Sequence, residues 1–281
     1  MAQKASPNSI GTPFIELQTI DSTNKYAMQL VHAGMARHGM AVFAHNQTAG
    51  KGQRGKKWTS ESNVNIALSI IIKPDLLQVH EQFYLSAAVA LAAHHFLAKY
   101  AGEETKIKWP NDLYWRDRKA GGILIESVIG NFNPANNNLG LGVGGHVSAV
   151  HNQQSSSLWQ WAVIGIGINI NQTDFPEDLP NPVSLKQITG KKFEPIELAK
   201  ELCDFINEQL DLLSNGKRNE LIQQYNQNLY KLNEQIKLKK ENRVFDVVIK
   251  GVASAGKLMT THAVDEEFDF GEVEWLIEKV K

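Results

Sequence analysis

Apolar residues in this chain fall into short blocks whose spacing changes from helical to alternating and back. Asp21, Ser22 and Thr23 offer capping oxygens ahead of Tyr26, Ala27, Leu30 and Val31, which recur at helical spacing, and Gly34 supplies a stop. Residues 40–44 form a small apolar run that predicts a buried strand, and residues 66–72 predict a second, rich in β-branched side chains. Residues 83–100 predict an alanine-rich helix that packs closely on a sheet, and residues 106–109 alternate as a half-buried strand does. Residues 123–128 and 161–170 read as neighbouring strands. Between them, residues 130–158 are rich in Asn, Gly, Gln and Ser without amphipathic period, which predicts a mobile loop or floppy hairpin. Residues 195–213 and 217–229 are helical by period, with Pro195 where a helix start tolerates it.

From Gln235 the texture becomes short alternating runs around Ile236 and Leu238, then Phe245, Val247 and Ile249, then residues 252–261 and 270–277. Such a tail predicts a small β-barrel, too small to be very stable unless it docks on a larger body. Strands interleaved irregularly with helices, without a steady βαβ rhythm, predict an α+β main domain. The expected organisation is a flexible amino terminus over 1–14, a main domain over 15–232 with 130–158 as an insertion, and a β module over 233–281.

Charge and composition narrow the function. Lysine plus arginine number 29 against 30 acidic residues, so no general attraction to nucleic acid or anionic membrane is expected and any anion site is local. The one cysteine, Cys203, lies among apolar residues at helical spacing, which predicts core packing; it excludes an internal disulfide and fits a reducing compartment. The amino terminus is polar, and no window approaches the roughly 20 apolar residues of a membrane span, so a soluble cytoplasmic protein is expected. Nine histidines form no evident metal set; His94 and His95 are adjacent on a helix and point to different faces.

Four segments carry candidate chemistry. Gly50-Lys51-Gly52-Gln53-Arg54-Gly55-Lys56-Lys57-Trp58 concentrates four cations among three glycines and ends in an aromatic. Its backbone amides and cations suit a polyphosphate, and the tryptophan suits a base; a solvated basic turn and a nucleic-acid contact remain open readings of the loop alone. Lys108-Trp109-Pro110-Asn111-Asp112-Leu113 sets a lysine, an amide and a carboxylate at a strand end where the proline stops the sheet; Asp112 suits Mg²⁺ on a triphosphate with Asn111 in support, or simply a turn. Lys119-Ala120-Gly121-Gly122-Ile123-Leu124-Ile125-Glu126 sends a lysine and two glycines into a strand, where a ligand can lie on backbone and an ammonium can stabilise an oxygen. Gly165-Ile166-Gly167-Ile168-Asn169-Ile170-Asn171 alternates small and apolar residues, leaving one face bare for tight packing or for a flat ligand. A second glycine cluster, Gly140, Gly142, Gly144 and Gly145, is followed by no helical pattern and fails as a dinucleotide fingerprint.

In their order and spacing these segments, with Ser22-Thr23-Asn24 and Gln47, resemble the biotin protein ligases from Ile15 to the carboxyl end. The resemblance implies a mixed sheet flanked by helices, of the kind shared with class II aminoacyl-tRNA synthetases, and an SH3-like carboxyl-terminal barrel. It implies biotin and ATP as substrates with Mg²⁺, formation of biotinoyl-AMP, and transfer to a lysine of a biotin carboxyl carrier protein or domain of an acyl-CoA carboxylase. Ser22, Thr23, Asn24 and Gln47 would line the biotin pocket; Gly50, Lys51, Gly52, Gln53, Arg54 and Trp58 would close over biotin and the nucleotide, with Trp58 near adenine. Lys119 would contact the carboxylate and adenylate on the Gly121-Gly122 backbone, with Lys119, Asp112 and Arg54 as the catalytic set; Asn111 and Asn169 would support the nucleotide side. The loop departs from the family's arginine-rich pattern at Lys51 and Gln53, so looser adenylate retention is expected. About 20 residues precede the Ser22 motif, too few for the helix-turn-helix domain of many relatives, so no sequence-specific DNA binding is expected. A monomer or homodimer is implied. Lipoate ligation is the nearest rival, and a non-catalytic RNA-binding module a more distant one.

Overall fold

The computed structural model describes residues 9–131 and 157–278. Its centre is a seven-stranded mixed sheet of β1 (Phe14–Ile20), β2 (Ala41–Gln47), β3 (Ile66–Ile72), β4 (Thr105–Lys108), β5 (Asp112–Trp115), β6 (Arg118–Asn131) and β7 (Ser157–Ile168), in the order β1-β2-β3-β7-β6-β5-β4. Only β1 with β2 is parallel; the other neighbours are antiparallel. The helices are α1 (Thr23–His32), α2 (Gln82–Ala101), α3 (Leu185–Thr189), α4 (Pro195–Ser214) and α5 (Arg218–Gln227).

Alternation along the strands sends side chains to two different layers. Phe43, Leu68, Ile70, Ile164, Ile166 and Ile168 join the core formed with α2 and α4, whereas Val42, Ile71 and Val163 join Ala27, Leu30 and Val31 of α1. Helix α2 is apolar around most of its circumference because it is sandwiched between the sheet and α4. Cys203 of α4 is buried in this core, and burial pushes its thiol up to about 12, so it packs as a small hydrophobe as expected. No helix among the described residues is long and apolar enough to cross a membrane.

The carboxyl-terminal residues form a second sheet of β8 (Gln235–Lys240), β9 (Arg243–Val252), β10 (Leu258–Thr261), β11 (Asp265–Phe268) and β12 (Glu274–Leu276), in the order β11-β10-β9-β8-β12. Leu238, Val247, Ile249, Val252, Leu258 and Phe268 belong to the same buried cluster as the main core, so this sheet is joined to the rest of the molecule by apolar packing. Trp109 Nε1 donates to Gly256 O at 2.9 Å, and Asn226 exchanges two bonds with the backbone of Val252.

Several elements differ from the sequence reading. Pro110 does not stop the sheet: the chain turns at Pro110-Asn111, and Asp112 pairs back with Lys108 to open β5. Of the amino terminus expected to be flexible over 1–14, residues 1–8 lie outside the described residues, whereas Ile10 is buried and Phe14–Ile20 is a strand. Gly130, Asn131, Ser157 and Leu158 extend β6 and β7 into the stretch read as a loop; residues 132–156, with the second glycine cluster, lie outside the described residues. The run 252–261 breaks at a turn before β10, and the polar strand β11 has no hydrophobic pattern to announce it.

His94 is buried in α2 with Nε2 bonded to Thr105 O at 3.0 Å, and burial lowers its pKa from 6.5 to about 4. The unfolded chain takes up this proton below pH 6.5 while the folded chain resists until about 4. Folding stability should therefore fall across that window by about 3 kcal/mol on account of His94 alone. In His94→Gln the urea midpoint should decline less steeply between those limits, and parallel acid limbs in both proteins would refute the assignment.

Candidate functional site

Cross-strand register determines which residues share the sheet face beneath α1. Gly122 pairs with Gly167 and Leu124 with Gly165, while Gly165 pairs in turn with Ser69 and Asp112 with Gly122. Gly122, Gly165 and Gly167 therefore line one shallow patch on that face, with Asp112 at one end and Ser69 at the other. A Cβ on Gly165 would come 2.3 Å from Asn24 Oδ1, and one on Gly167 would come 2.6 Å from the Trp58 ring. The bare face predicted by the Gly-Ile-Gly-Ile pattern is thus covered by an amide and an indole.

One end of the patch is neutral and hydrogen-bonding. Ser22 caps α1, its Oγ accepting from Lys25 N, so the next two residues point down onto the sheet. Ser22, Thr23 and Asn24 are all buried. Thr23 N donates to Gln47 Oε1 at 2.8 Å, and Thr23 Oγ1 lies 3.1 Å from the same oxygen. Ser69 Oγ sits 2.8 Å from Thr23 Oγ1 and 2.6 Å from Asn24 Oδ1. Asn24 Nδ2 donates to Glu126 Oε2 at 2.9 Å.

The other end is cationic. Lys119 Nζ meets Asp112 Oδ1 at 2.6 Å and Lys108 Nζ lies 3.8 Å from Asp112 Oδ2. Lys108 is held below the ordinary lysine range first by burial and also by Lys119 and Lys56, against Asp112 and Glu274. Its ammonium lies over the rings of Tyr114 and Trp275, so the carboxyl-terminal sheet forms one wall of this end. A bulge sets Lys119 in place. Leu113 pairs with Gly121 but Tyr114 with Lys119, which leaves Ala120 as an extra residue and returns Lys119 to the face of Asp112.

The glycine-rich loop is a narrow hairpin. Trp58 N donates to Gly50 O at 3.0 Å, Gly52 N to Lys56 O at 2.7 Å, and Lys51 bridges Lys57 around a turn at Gln53–Gly55. It arches over the patch: Lys51 Nζ reaches Glu126 Oε1 at 3.4 Å, Gln53 Nε2 reaches Ile123 O at 3.4 Å, and Trp58 lies on Gly167. The Trp58 indole N–H is buried without a partner among the described residues, a donor available to a ligand atom. Arg54 is placed differently from Lys119 and Asp112: its guanidinium lies against the Gly271 turn of the carboxyl-terminal sheet, 3.2 Å from where a Cβ would stand.

Asn111 and Asn169 are buried and hold backbone. Asn111 Nδ2 donates to Ile123 O, and Asn169 Nδ2 donates to Val183 O at 3.2 Å while its N–H binds Ala120 O at 2.8 Å. Both fix the strands that carry Lys119, Gly121 and Gly122. Sequence reading named Lys108 and Glu126 within motifs without a role and passed over Ser69; register alone brings Ser69 to the patch, although a serine inside an otherwise apolar strand was a usable signal.

With a neutral, directional pocket at one end and Lys108 and Lys119 at the other, the site suits an elongated ligand with an uncharged polar head and an anionic tail. The chain is similar to several known proteins. A model of the biotin/lipoate A/B protein ligase family matches residues 16–143. The bifunctional ligase/repressor BirA of Bacillus spizizenii is 34% identical over 189 residues, 66% of this chain and 50% of that protein. A biotin--[acetyl-CoA-carboxylase] ligase of Paracoccus denitrificans is 33% identical over 189 residues, 64% of this chain and 66% of that one. The chain thus spans about half the length of the Bacillus relative. The biotin protein ligase of Aquifex aeolicus, solved in complex with biotin and ATP, shares the fold: TM-score 0.72 at 23% identity, over 94% of this chain and 98% of that one.

Proposed function

We propose that this chain, which belongs to the biotin/lipoate A/B protein ligase family, is an ATP-dependent biotin protein ligase that makes biotinoyl-AMP and passes the biotinoyl group to a lysine of a carboxylase's biotin carrier domain. The catalytic unit is taken as residues 15–232 and the carboxyl-terminal module as 233–281. One observation carries the reading: the glycine patch joins a neutral hydrogen-bonding pocket at Thr23, Asn24, Gln47 and Ser69 to a cationic end at Lys108 and Lys119. Biotin has that polarity, an uncharged ureido head and a carboxylate tail. Lipoate carries an apolar dithiolane at its head and would leave the buried polar groups of the pocket unmet.

In the first step the biotin carboxylate attacks the α-phosphorus of ATP and pyrophosphate leaves. Both partners are anions, so the site's work is positioning and screening. Lys119 screens the carboxylate and α-phosphate, and the hairpin from Gly50 to Trp58 shields the mixed anhydride from water. Trp58, whose indole lies against Gly167, offers its ring to adenine. In the second step the acceptor amine, having lost a proton, attacks the acyl carbon and AMP leaves. Asp112, 2.6 Å from Lys119 Nζ, is the carboxylate within reach to receive that proton. The described residues contain no cluster of His, Cys, Asp or Glu for a resident ion, and both Asp112 oxygens face lysines, so they do not fit a standing Mg²⁺ site; Mg²⁺ enters as the counter-ion of ATP.

The test is intact mass of a biotin carboxyl carrier domain incubated with the protein, ATP, Mg²⁺ and biotin, with lipoate in competition. A biotin-sized mass gain that lipoate does not suppress supports the reading; lipoyl transfer instead moves the chain to the sister activity. Gln53 spends its one loop contact on Ile123 O and carries no charge. Gln53→Arg should therefore slow biotinoyl-AMP release by about tenfold, as a charge-assisted contact replaces a neutral one. Release timed by rapid filtration at an unchanged rate would remove the idea that the loop's composition tunes retention.

A further inference from the structure

We propose that Glu126 is a specificity-determining residue that fixes the direction of the pocket's hydrogen-bond chain, so that Thr23 presents lone pairs and not its hydrogen to the ligand. Four contacts carry this: Asn24 Nδ2 to Glu126 Oε2 at 2.9 Å, Ser69 Oγ to Asn24 Oδ1 at 2.6 Å, Ser69 Oγ to Thr23 Oγ1 at 2.8 Å, and Lys51 Nζ to Glu126 Oε1 at 3.4 Å. Hydroxyls and carboxamides can each donate or accept, so a chain made only of them runs either way. A carboxylate accepts only. Asn24 must then turn Nδ2 to Glu126 and Oδ1 to Ser69. Ser69 spends its one hydrogen on Asn24 Oδ1, so the contact between Ser69 and Thr23 requires Thr23 to donate. Gln47 Oε1 accepts the Thr23 backbone N–H and lies 3.1 Å from the Thr23 hydroxyl, a second acceptor inside the pocket for its hydrogen, so the hydroxyl is left with lone pairs to offer. Glu126 touches neither Ser69 nor Thr23 and acts on them through Asn24.

The inference deepens the reading above, because a pocket that offers acceptors selects a head group with N–H donors, such as biotin's ureido ring. Glu126→Gln keeps size and shape but lets the Asn24 amide and both hydroxyls reverse. It should raise the KM for biotin about tenfold, with the loss falling on KM more than on kcat. It should also shrink by at least tenfold the preference for biotin over cyclic carbamate analogues in which oxygen replaces either ureido N–H. Glu126→Asp, still acceptor-only, should keep more of that preference than Glu126→Gln.

A ligand-free measurement separates this from the ligase reading. Glu126→Gln, Ser69→Ala and the double variant of the full chain are unfolded in urea, and the chain predicts non-additive midpoints although residues 69 and 126 do not touch. Coupling in a protein without ligase activity would overturn the ligase and keep the directional chain. Additive midpoints, or an unchanged preference for biotin in an active Glu126→Gln protein, would overturn the proposal.

Discussion

Lys119→Ala should lower kcat/KM for biotin transfer by about 10²- to 10³-fold, the usual loss when one preorganised donor to a developing charge is removed. The lysine is the cation held over the Gly122 backbone, and in the proposed reaction its ammonium screens the carboxylate and the α-phosphate. The fold should survive. Lys119 is one-third exposed and Asp112 keeps Lys108 at its second oxygen, so the lost pair contributes on the order of 1 kcal/mol or less to stability. Lys119→Arg keeps the charge with different geometry and should recover only part of the activity. Adenylate formation, followed by pyrophosphate release, should show the loss. Activity within tenfold of the parent in a folded Lys119→Ala protein would place the essential cation elsewhere, with Lys108 the next candidate.

The second large effect comes from a residue with no functional group. Gly165→Val sets two methyl groups where even a Cβ would stand 2.3 Å from Asn24 Oδ1, on a strand fixed on both sides by β3 and β6. The backbone cannot retreat, so the Asn24 amide must leave Ser69 and Glu126. Biotin affinity by calorimetry should fall more than about 100-fold, since the uncharged head loses several directed bonds together. Stability should drop by only about 1–3 kcal/mol, because the strain is confined to an amide at the rim of α1. Near-parental biotin binding by Gly165→Val would mean that the ligand head does not use this pocket.

The sequence disclosed most where structure follows from neighbours along the chain. The cap at Ser22, the alanine-rich α2 and the apolar strand β3 are local patterns and appear within a residue or two of expectation. The same holds for the Gly-Ile-Gly-Ile strand, whose bare face is a matter of alternation. Elements dependent on a partner escaped. β1 is half exposed and owes its state to parallel pairing with β2, and β5 follows a proline that reads as a terminator until β4 is there to pair with. Site residues divided likewise. Ser69 and Glu126 are 57 positions apart and meet only through Asn24, and Arg54, the most prominent cation of its loop, turned out to address the carboxyl-terminal sheet. Register and docking decided these, and neither is written in spacing.

The bulge at Ala120 gives the interval between Asp112 and Lys119 a meaning that residue identity does not convey. Strands tolerate many exchanges of one side chain for another, but a strand whose bulge is flattened behaves like a gear that has slipped a tooth. With Ala120 kept but paired in regular register, plain alternation would carry the lysine through the sheet to the side of α2, and every motif residue would still be present in a line of text. The path of the backbone across this stretch is therefore held more tightly than composition, and a chain with all its signature letters, Ala120 included, but a flat strand between them should be inert.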